Sequence, residues 1–471
     1  MQPTDRDKLK HSQLTMWDLL QEDTAERESS AGVCVSPRMD ETDTTDEQTH
    51  EDNLLEQILT WENMERAVKR VKSNKGAEGV DGMTVGDLDE WLADNADALL
   101  QRLQDGKYRP QPVRRVEIPK DNGKTRPLGI PTVVDRVIQQ AIGQVLSPLY
   151  ESQFSDQSYG FRPGRGAHDA LRQCVQYITD GYRWVVDMDL EKFFDTVNQS
   201  KLIQLLSNTV KDGRVVSLVH KYLRAGIMAE AMFQVSEFGV PQGGPLSPLL
   251  GNVMLNECDQ ELAARGHRFV RYADDMMIFC KSKRAAERVL ASITTFIEKK
   301  LFLKVNREKT TVAYVGDVKF LGYGFYIGNN GEGQLRVHKK SLSKLREKLR
   351  LLTGRSNGMS IQGRKERLNR LIRGWVNYFK LANMKTVLVE LDGWLRRRLR
   401  MVTWKRWKRV RTRFDSLKKA GIHAGKAWEW ANCRLGYWRV AGSWIMTRAI
   451  PDKLLVQAGY LTLSGCYANA K

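Results

Sequence analysis

Two clusters of acidic residues stand where apolar segments end. The first is the pair Asp274 and Asp275, which separates the apolar runs 269–272 and 276–280. Two apolar runs around a short polar turn predict a β-hairpin with both carboxylates at its tip. Turn chemistry alone explains such a pair, because aspartate is common in turns. Metal binding is the other interpretation, since charged groups beside apolar strands need a compensating charge and hard cations take oxygen ligands.

The second cluster follows the apolar residues 184–186 and contains Asp187 and Asp189. Enzymes that join nucleotides can hold two metal ions, roughly 4 Å apart, between carboxylates from separate strands. One ion activates the attacking hydroxyl, and the other stabilises the triphosphate and the leaving pyrophosphate. Asp189 together with the hairpin pair meets this need. Asp187 is a rival, because side chains two residues apart in a strand share one face.

The segments around these acids resemble the reverse transcriptases of bacterial group II introns. The resemblance rests on YADD at 272–275, DLEKFFD at 189–195, GVPQGGPLSP at 239–248, KDNGKTRPLGIPT at 120–132 and SYGFRP at 158–163. LNRLIRGWVNYF at 368–379 resembles the maturase region, and the similarity extends from about Asn53 to near the C-terminus. We expect no HNH endonuclease domain, as in group IIC-like members. His423 is the only histidine after residue 340, and Cys433 and Cys466 stand apart.

This resemblance implies a site for two Mg²⁺ ions, which Mn²⁺ can replace. It selects Asp189 rather than Asp187 as the metal ligand, and it adds Asp274 and Asp275. The backbone of Leu190 is a further candidate ligand. Lys309 matches the lysine that lies near the pyrophosphate in such polymerases, which makes it a candidate general acid. A plain surface lysine is the alternative at that position.

The resemblance also implies a site for deoxynucleoside triphosphates (dNTPs), formed by Lys120, Arg126, Phe194 and Gln242. The Asn-Gly pair at 122–123 predicts a hairpin that brings Lys120 and Arg126 near one tip, where two cations could clamp a triphosphate. Phe194 would exclude sugars that carry a 2′-hydroxyl and so favour deoxynucleotides. One of the two residues Phe193 and Phe194 is expected in the core. Gln242 would support the base pair without sequence preference.

The charge of the chain is unevenly distributed. Of a net charge of +19, residues 1–52 contribute 5 Lys and Arg against 14 Asp and Glu, whereas residues 341–471 contribute 30 against 7. A basic region interleaved with aromatic residues predicts nucleic-acid binding rather than a membrane surface. Candidate contacts are Arg162, Arg165, Arg396, Arg397, Arg398, Lys405, Arg406, Lys408 and Arg409.

The predicted fold is α/β, and the resemblance implies a right-hand polymerase with a helical thumb. We expect an acidic, disordered extension at 1–52, fingers and palm at 53–340, a helical thumb or maturase domain X at 341–415, and a small DNA-binding lobe at 416–471. The apolar residues of 368–379 recur at helical spacing, which favours a thumb core over a base-stacking platform. Six scattered cysteines without a CxxC pair, and the lack of a leader or a long apolar run, predict a cytoplasmic protein. The resemblance implies that it is bacterial and associated with the nucleoid or with ribonucleoprotein.

The resemblance implies an RNA-directed DNA polymerase that also binds its own intron RNA as a maturase and copies it during retrohoming. The implied partners are group II intron RNA, an RNA template with a DNA primer, target DNA and dNTPs, and the residues indicate no oligomeric state. Two alternatives stay open at this point. One is a splicing cofactor whose polymerase is dispensable, and the other is a stand-alone reverse transcriptase in DNA repair or phage defence.

Overall fold

The computed structural model describes residues 53–119, 125–229, 232–234 and 238–470. The predicted acidic extension and the hairpin tip with Lys120 lie outside these residues. Within them, residues 53–314 form one compact unit and residues 315–470 form another. This division falls at Val315, ahead of the composition change at Ser341. None of the helices in these described ranges is both long and apolar enough to span a membrane.

Helices make up much of the first unit. They are α1 Leu54–Leu59, α2 Trp61–Ser73, α3 Leu88–Gln104, α4 Val133–Glu151, α5 Ala167–Thr179, α6 Phe193–Thr196, α7 Gln199–Thr209, α8 Gly213–Arg224, α9 Ser247–Ala264 and α10 Lys283–Lys300. Several begin at a side-chain cap that satisfies a free backbone N–H. Thr132 accepts from the N–H of Asp135 at 3.1 Å, and Ser282 accepts from that of Ala285 at 3.2 Å.

The central sheet of this unit has the order β6-β7-β3-β8 and is antiparallel throughout. Its strands are β3 Trp184–Met188, β6 Arg268–Tyr272, β7 Asp275–Cys280 and β8 Thr311–Tyr314. Strand β7 is buried along Met276–Cys280, and helices α5, α9 and α10 pack against the sheet. The predicted hairpin of β6 and β7 is confirmed, because its apolar runs pair with each other across a two-residue turn.

A second sheet has the order β2-β1-β4-β5. It contains β1 Val113–Pro119, β2 Thr125–Ile130, β4 Ile227–Ala229 and β5 Met232–Gln234. Strands β1 and β2 are antiparallel, as the Asn-Gly pair predicts, whereas β1 and β4 are parallel. Strand β2, which carries Arg126, therefore belongs to the same sheet as β4, a strand about a hundred residues later in the chain.

The second unit begins with the 3₁₀ turn Val315–Asp317 and the sheet β11-β10-β9, with strands β9 Lys319–Phe320, β10 Tyr323–Ile327 and β11 Gly333–Val337. The helices that follow are α11 Lys339–Leu352, α12 Ile361–Phe379, α13 Lys385–Arg406, α14 Val410–Lys419, α15 Ala424–Ala431, α16 Tyr437–Ala441, α17 Trp444–Ala449, α18 Asp452–Gln457 and α19 Leu463–Ala470. The mixture of helices and sheets in the two units confirms the α/β class.

Helix α12 contains the predicted apolar stripe, and the structure confirms that the stripe is core. Leu368, Ile372, Val376 and Phe379 are buried, and the ring of Trp375 lies 4.6 Å from that of Phe379 between centroids. The aromatic residues of this helix therefore pack against protein, which is what the apolar periodicity predicts.

The last helix, α19, packs against α12 and α13. Asp392 in α13 is buried, and its carboxylate accepts hydrogen bonds from the N–H of Leu463 at 2.7 Å and of Ser464 at 2.9 Å. The Ser464 hydroxyl donates to the same carboxylate at 2.6 Å. The end of the predicted lobe at 416–471 thus forms part of the helical packing of the predicted thumb.

Candidate active site

Asp189 lies directly after β3, and its backbone is held by the segment 304–310. Its N–H donates to the Thr310 hydroxyl at 3.1 Å, and its carbonyl accepts from the N–H of Asn306 at 2.9 Å. The side chain of Asp189 is 30% exposed. Asp187, by contrast, lies inside β3 between its partners Met277 and Thr311. The structure thus separates two acids that strand alternation alone leaves equivalent.

The other two acids lie at the turn between β6 and β7. Tyr272 pairs with Asp275, which leaves Ala273 and Asp274 as the two turn residues. Ala273 has φ of +56°, in the left-handed region that non-glycine residues rarely adopt. Because β3 ends with Met188 opposite Met276 of β7, one further step along both strands sets Asp189 beside Asp275. The register therefore brings the three acids to one end of the sheet.

Lys309 contacts Asp189 directly. Its ammonium nitrogen lies 3.2 Å from Oδ1 and 3.0 Å from Oδ2 of that carboxylate. The pair is open to water, since the lysine side chain is 67% exposed. A salt bridge this exposed contributes little to stability, about 0–1 kcal/mol. Its significance lies in its position, since Lys309 neutralises the acid that is predicted to bind metal.

The acids fit divalent metal ions by chemistry, since carboxylate oxygens are the ligands that Mg²⁺ prefers. Among the described residues, however, no three His, Cys, Asp or Glu side chains converge as a group that could hold a metal ion. The joint role of Asp189, Asp274 and Asp275 as ligands stays a prediction. So does the role of the Leu190 backbone, which lies beside Val305 in an isolated β-bridge.

Two of the residues predicted to bind the nucleotide contact each other. The Arg126 side chain donates from Nε to Oε1 of Gln242 at 2.7 Å, although the two are 116 residues apart. Gln242 in turn donates from Nε2 to Oδ1 of Asp195 at 3.3 Å, and its carbonyl accepts from the N–H of Gly129 at 2.7 Å. Gln242 thus links β2 to the residue after Phe194.

Phe193 and Phe194 divide between core and surface. Phe193 is buried and Phe194 is half-buried, with 4.9 Å between their ring centroids. Both rings lie over Gly251 in α9, where an added Cβ would sit 3.3 Å from each ring. The sequence expectation that one of the pair is core is confirmed for Phe193, whereas the steric role of Phe194 stays a prediction.

Arg162 requires a correction. We expected it to contact nucleic acid, but its side chain is 2% exposed and faces inwards. It donates to the carboxylate of Glu151 at 2.7 Å and to the carbonyls of Ser155 and Ser158 at 2.5 and 2.9 Å. These bonds engage the guanidinium inside the protein, so it anchors the loop 158–165. Arg165 is more open and pairs with Asp156 at 2.6 Å, and its contact with nucleic acid stays a prediction.

A groove of about 1020 Å³ borders this loop. Phe161 lies on its wall, is exposed, and has φ of +57°. The groove is also lined by Arg70, Gln140, Gln144, Pro163 and Leu249. The groove is open to solvent, and its lining is both polar and apolar.

The basic residues predicted to contact nucleic acid in the second unit fall into two groups. Arg396 pairs with Asp452 at 3.0 Å, and Arg397 donates to the carbonyl of Trp438 at 2.9 Å. Arg398 donates a hydrogen bond to the Thr353 hydroxyl, and the Lys405 ammonium lies over the ring of Tyr437. Arg406, Lys408 and Arg409 are exposed at the end of α13 and beyond it. The first group therefore has a packing role in addition to its charge.

Sequence reasoning missed Asn252, Asp259 and Arg271, which form a buried polar cluster behind the turn. The signal was present, because an arginine inside the apolar run Phe-Val-Arg-Tyr must find a partner once the strand is buried. Helix α9 begins at Ser247, whose hydroxyl donates to the carbonyl of Pro241 at 2.6 Å.

Comparison with known proteins finds two matched regions in the chain. A sequence profile described as reverse transcriptase (RNA-dependent DNA polymerase) matches residues 118–325. A second profile, described as group II intron, maturase-specific domain, matches residues 342–421. The two matches occur in the order that the motifs predict.

Protein YkfC of Escherichia coli K12 is 36% identical over 334 residues, which are 62% of this chain and 88% of YkfC. The group II intron-encoded protein LtrA of Lactococcus lactis is 31% identical over 345 residues, which are 59% of this chain. The match spans 57% of LtrA, so the chain corresponds to little more than half of that relative.

A chain of a Cas6-RT-Cas1–Cas2 complex is 25% identical, with a TM-score of 0.35 over 52% of this chain and 43% of that one. The sequence matches are sufficient to assign a family, because one relative is covered over most of its length at 36% identity and both domain profiles match in order. The chain therefore belongs to the family of reverse transcriptases that carry a group II intron maturase-specific domain.

Proposed function

We propose that the protein is an RNA-directed DNA polymerase and the maturase of a group II intron. The observation that carries the polymerase proposal is the register of the central sheet, which sets Asp189 beside the β6–β7 turn with Asp274 and Asp275. The maturase proposal rests on the profile match at 342–421 and on the basic surplus of the same region. The name of LtrA, an intron-encoded protein, supports this assignment.

In the proposed mechanism, the carboxylates of Asp189, Asp274 and Asp275 would hold two Mg²⁺ ions. When bound, such ions activate the primer hydroxyl and neutralise charge on the triphosphate. The protein supplies the position of the carboxylates through the strand register and through the backbone bonds of Asp189 to the segment 304–310. The contact of Lys309 with Asp189 supports a role for this ammonium beside the leaving pyrophosphate, either as a proton donor or as a positive charge.

The dNTP site is proposed to include Arg126, Phe194 and Gln242, together with Lys120. The hydrogen bond from Arg126 to Gln242 supports this grouping, since it joins two residues from distant motifs. Gln242 also reaches the residue after Phe194, which supports a sugar position above that ring. In this arrangement, Phe194 would exclude a 2′-hydroxyl by contact with its ring edge. The exposed groove beside Phe161 is the proposed path of the template strand.

The proposed partners are intron RNA, primed RNA template, target DNA and dNTPs. Phosphate contacts supply most of the affinity in such complexes, and Arg406, Lys408 and Arg409 are the exposed candidates for them. As an intron-encoded bacterial protein, it would act in the cytoplasm, in ribonucleoprotein and on the nucleoid.

The proposal is tested by primer extension on an RNA template with Mg²⁺ and dNTPs. We expect Asp274→Ala and Asp189→Asn to abolish extension. Asp187→Asn is the matched control, because it removes the same charge two residues away, inside β3. Extension that survives Asp274→Ala, or that is lost only in Asp187→Asn, would contradict the metal assignment.

A splicing assay with the same variants separates the two activities. If the protein acts on intron RNA by binding alone, Asp274→Ala should assist splicing as well as wild type does. This outcome would show that polymerase activity is dispensable for splicing, and it would leave the polymerase proposal unchanged. An absence of any splicing effect in the wild-type protein, with polymerase intact, would instead favour a stand-alone reverse transcriptase.

A further inference from the structure

A fully buried ion pair lies behind the β6–β7 turn. Arg271 in β6 and Asp259 in α9 both have side chains that are 0% exposed. The Arg271 guanidinium donates to the Asp259 carboxylate from Nε at 2.8 Å and from Nη2 at 2.5 Å. Removing two charges from water is costly, and apolar residues of similar size often serve stability equally well. The presence of the pair at this position therefore calls for a reason other than stability.

The remaining nitrogen of Arg271 reaches the turn itself. Its Nη1 donates to the carbonyl of Ala273 at 3.0 Å and to Oδ1 of Asn252 at 2.9 Å. Ala273 is the residue with the left-handed backbone, and it immediately precedes Asp274. A strained backbone persists only when surrounding contacts hold it. Arg271 supplies one such contact from inside the protein.

Asn252 extends the support to the loop 158–165. Its Nδ2 donates to the carbonyl of Gly160 at 2.9 Å. Gly160 packs so closely on the turn that an added Cβ would lie 2.3 Å from the backbone nitrogen of Ala273. The N–H of Tyr159 also donates to the carbonyl of Arg271 at 2.9 Å. The turn is therefore held both by the guanidinium and by a loop that the same cluster fixes.

We propose that Arg271, Asp259 and Asn252 are positioning residues that fix the turn so that Asp274 and Asp275 are set in place for metal ions. Asp259 orients the guanidinium, Asn252 joins it to Gly160, and Arg271 holds the carbonyl of Ala273. This inference rests on the proposed function, since it deepens the role of the same site. Groups that orient metal ligands typically change metal affinity or activity by 10- to 100-fold when they are altered.

The decisive variant removes both charges and keeps the core filled, namely Arg271→Met with Asp259→Leu. Because neither charge is left unpaired, the protein should fold with a melting temperature near that of wild type. It should nevertheless lose the bond to Ala273. We expect kcat for dNTP incorporation to fall about tenfold and the KM for dNTP to stay unchanged. We also expect Mn²⁺ binding to the nucleotide-free protein, measured by the EPR signal of free Mn²⁺, to weaken about tenfold.

Two further variants keep the test decisive if the double variant does not fold. Arg271→Lys keeps the charge beside Asp259 but cannot make all the bonds of a guanidinium, so Mn²⁺ binding should weaken. Asn252→Ala leaves the ion pair in place and should produce a smaller loss. Arg364→Met is the control, because Arg364 is a buried arginine of the second unit that donates to the Leu352 carbonyl. Its loss should lower the melting temperature without changing Mn²⁺ affinity.

A folded double variant with the Mn²⁺ affinity and kcat of wild type would overturn the inference. If the double variant does not fold, Mn²⁺ affinity equal to that of wild type in Arg271→Lys would overturn it as well. Asp274→Ala distinguishes this failure from failure of the proposed function. If Asp274→Ala also leaves Mn²⁺ binding unchanged, the metal assignment is at fault. If Asp274→Ala weakens binding and the cluster variants do not, the turn is held without Arg271.

Discussion

Replacing Asp392 with alanine should release the last helix from the second unit. The carboxylate of Asp392 accepts the N–H groups of Leu463 and Ser464 and the Ser464 hydroxyl, at the N-terminus of α19. These N–H groups belong to the first turn, where a helix has no internal acceptors for them. A buried anion there also interacts favourably with the helix dipole. The substitution therefore removes the acceptor on which the start of α19 depends.

The hydrogen bonds to Asp392 give the size of the free-energy loss. A hydrogen bond to a charged group contributes about 1.5–3 kcal/mol. Ser464 is half-buried, so water can replace part of what it loses, and we take the low end for the two backbone bonds. The local opening of α19 should then become easier by about 3 kcal/mol, or about 100-fold in its equilibrium constant. Tyr467, whose hydroxyl donates to the Ala382 carbonyl at 2.7 Å, should be released in the same event.

Hydrogen exchange of the full-length protein measures this opening directly. Amides in peptides from 459–470 should exchange about 100-fold faster in Asp392→Ala, with smaller changes in α12 and α13. Asp415→Ala is the control, because it removes the same charge from an exposed position in α14. Exchange at 459–470 that is equal in the two variants would refute the reasoning, since the buried carboxylate would then contribute nothing that an exposed one does not.

Four other outcomes follow from the site and the charge distribution. Phe194→Ala should admit ribonucleotides in single-nucleotide incorporation, and discrimination equal to wild type would exclude a gate at that ring. Lys309→Met should lower the metal concentration for half-maximal extension, because no ammonium competes for Asp189, and should lower kcat if the lysine donates a proton. Replacing three exposed cations with glutamine should reduce the slope of log affinity for single-stranded RNA against log salt by up to about 2, and an unchanged slope would move the contact surface elsewhere. These cations are Arg406, Lys408 and Arg409. Burial raises the pKa of Asp212, but hydrogen bonds from Arg214 and from the Leu55 N–H outweigh it, so the pKa lies below its usual value. The stability that the Asp212 carboxylate gives is present above its unfolded-state pKa of about 3.9 and is lost as the pH falls through its folded-state pKa. The melting temperature of Asp212→Asn should therefore fall less than that of wild type when the pH is lowered through this range.

Local patterns in the sequence predicted the elements that carry the acids. The hairpin at Asp274 follows from two apolar runs and a polar turn, and the strand before Asp189 follows from its apolar run. Helix α12 follows from the spacing of its apolar residues. In each case the signal lies within about a dozen residues, where periodicity is informative. The resemblance to a family then selected among the acids that periodicity left equivalent.

Contacts between distant residues were beyond local patterns. The charge of Arg162 was evident, but its direction depends on Glu151 and on a loop that folds back over it. The same holds for Arg397, which donates to the Trp438 carbonyl 41 residues later. Single-sequence reasoning assigns such arginines to the surface because most are exposed. Partners that are distant in the sequence decide otherwise, and they are visible only once the helices are packed.

The segment between α10 and β8 has little freedom to change in length. Lys304 accepts from the N–H of Glu191, Asn306 donates to the carbonyl of Asp189, and Thr310 contacts both sides of that residue. An insertion or deletion here would shift the whole register of contacts along the strand end. In the turn at 328–331 between β10 and β11, Asn329 and Asn330 are exposed, and the backbone hydrogen bonds of Gly328 and Gly331 stay within this hairpin. A fluorophore or an affinity tag should therefore be placed in the turn at 328–331, and the segment at 301–310 should be left at its natural length.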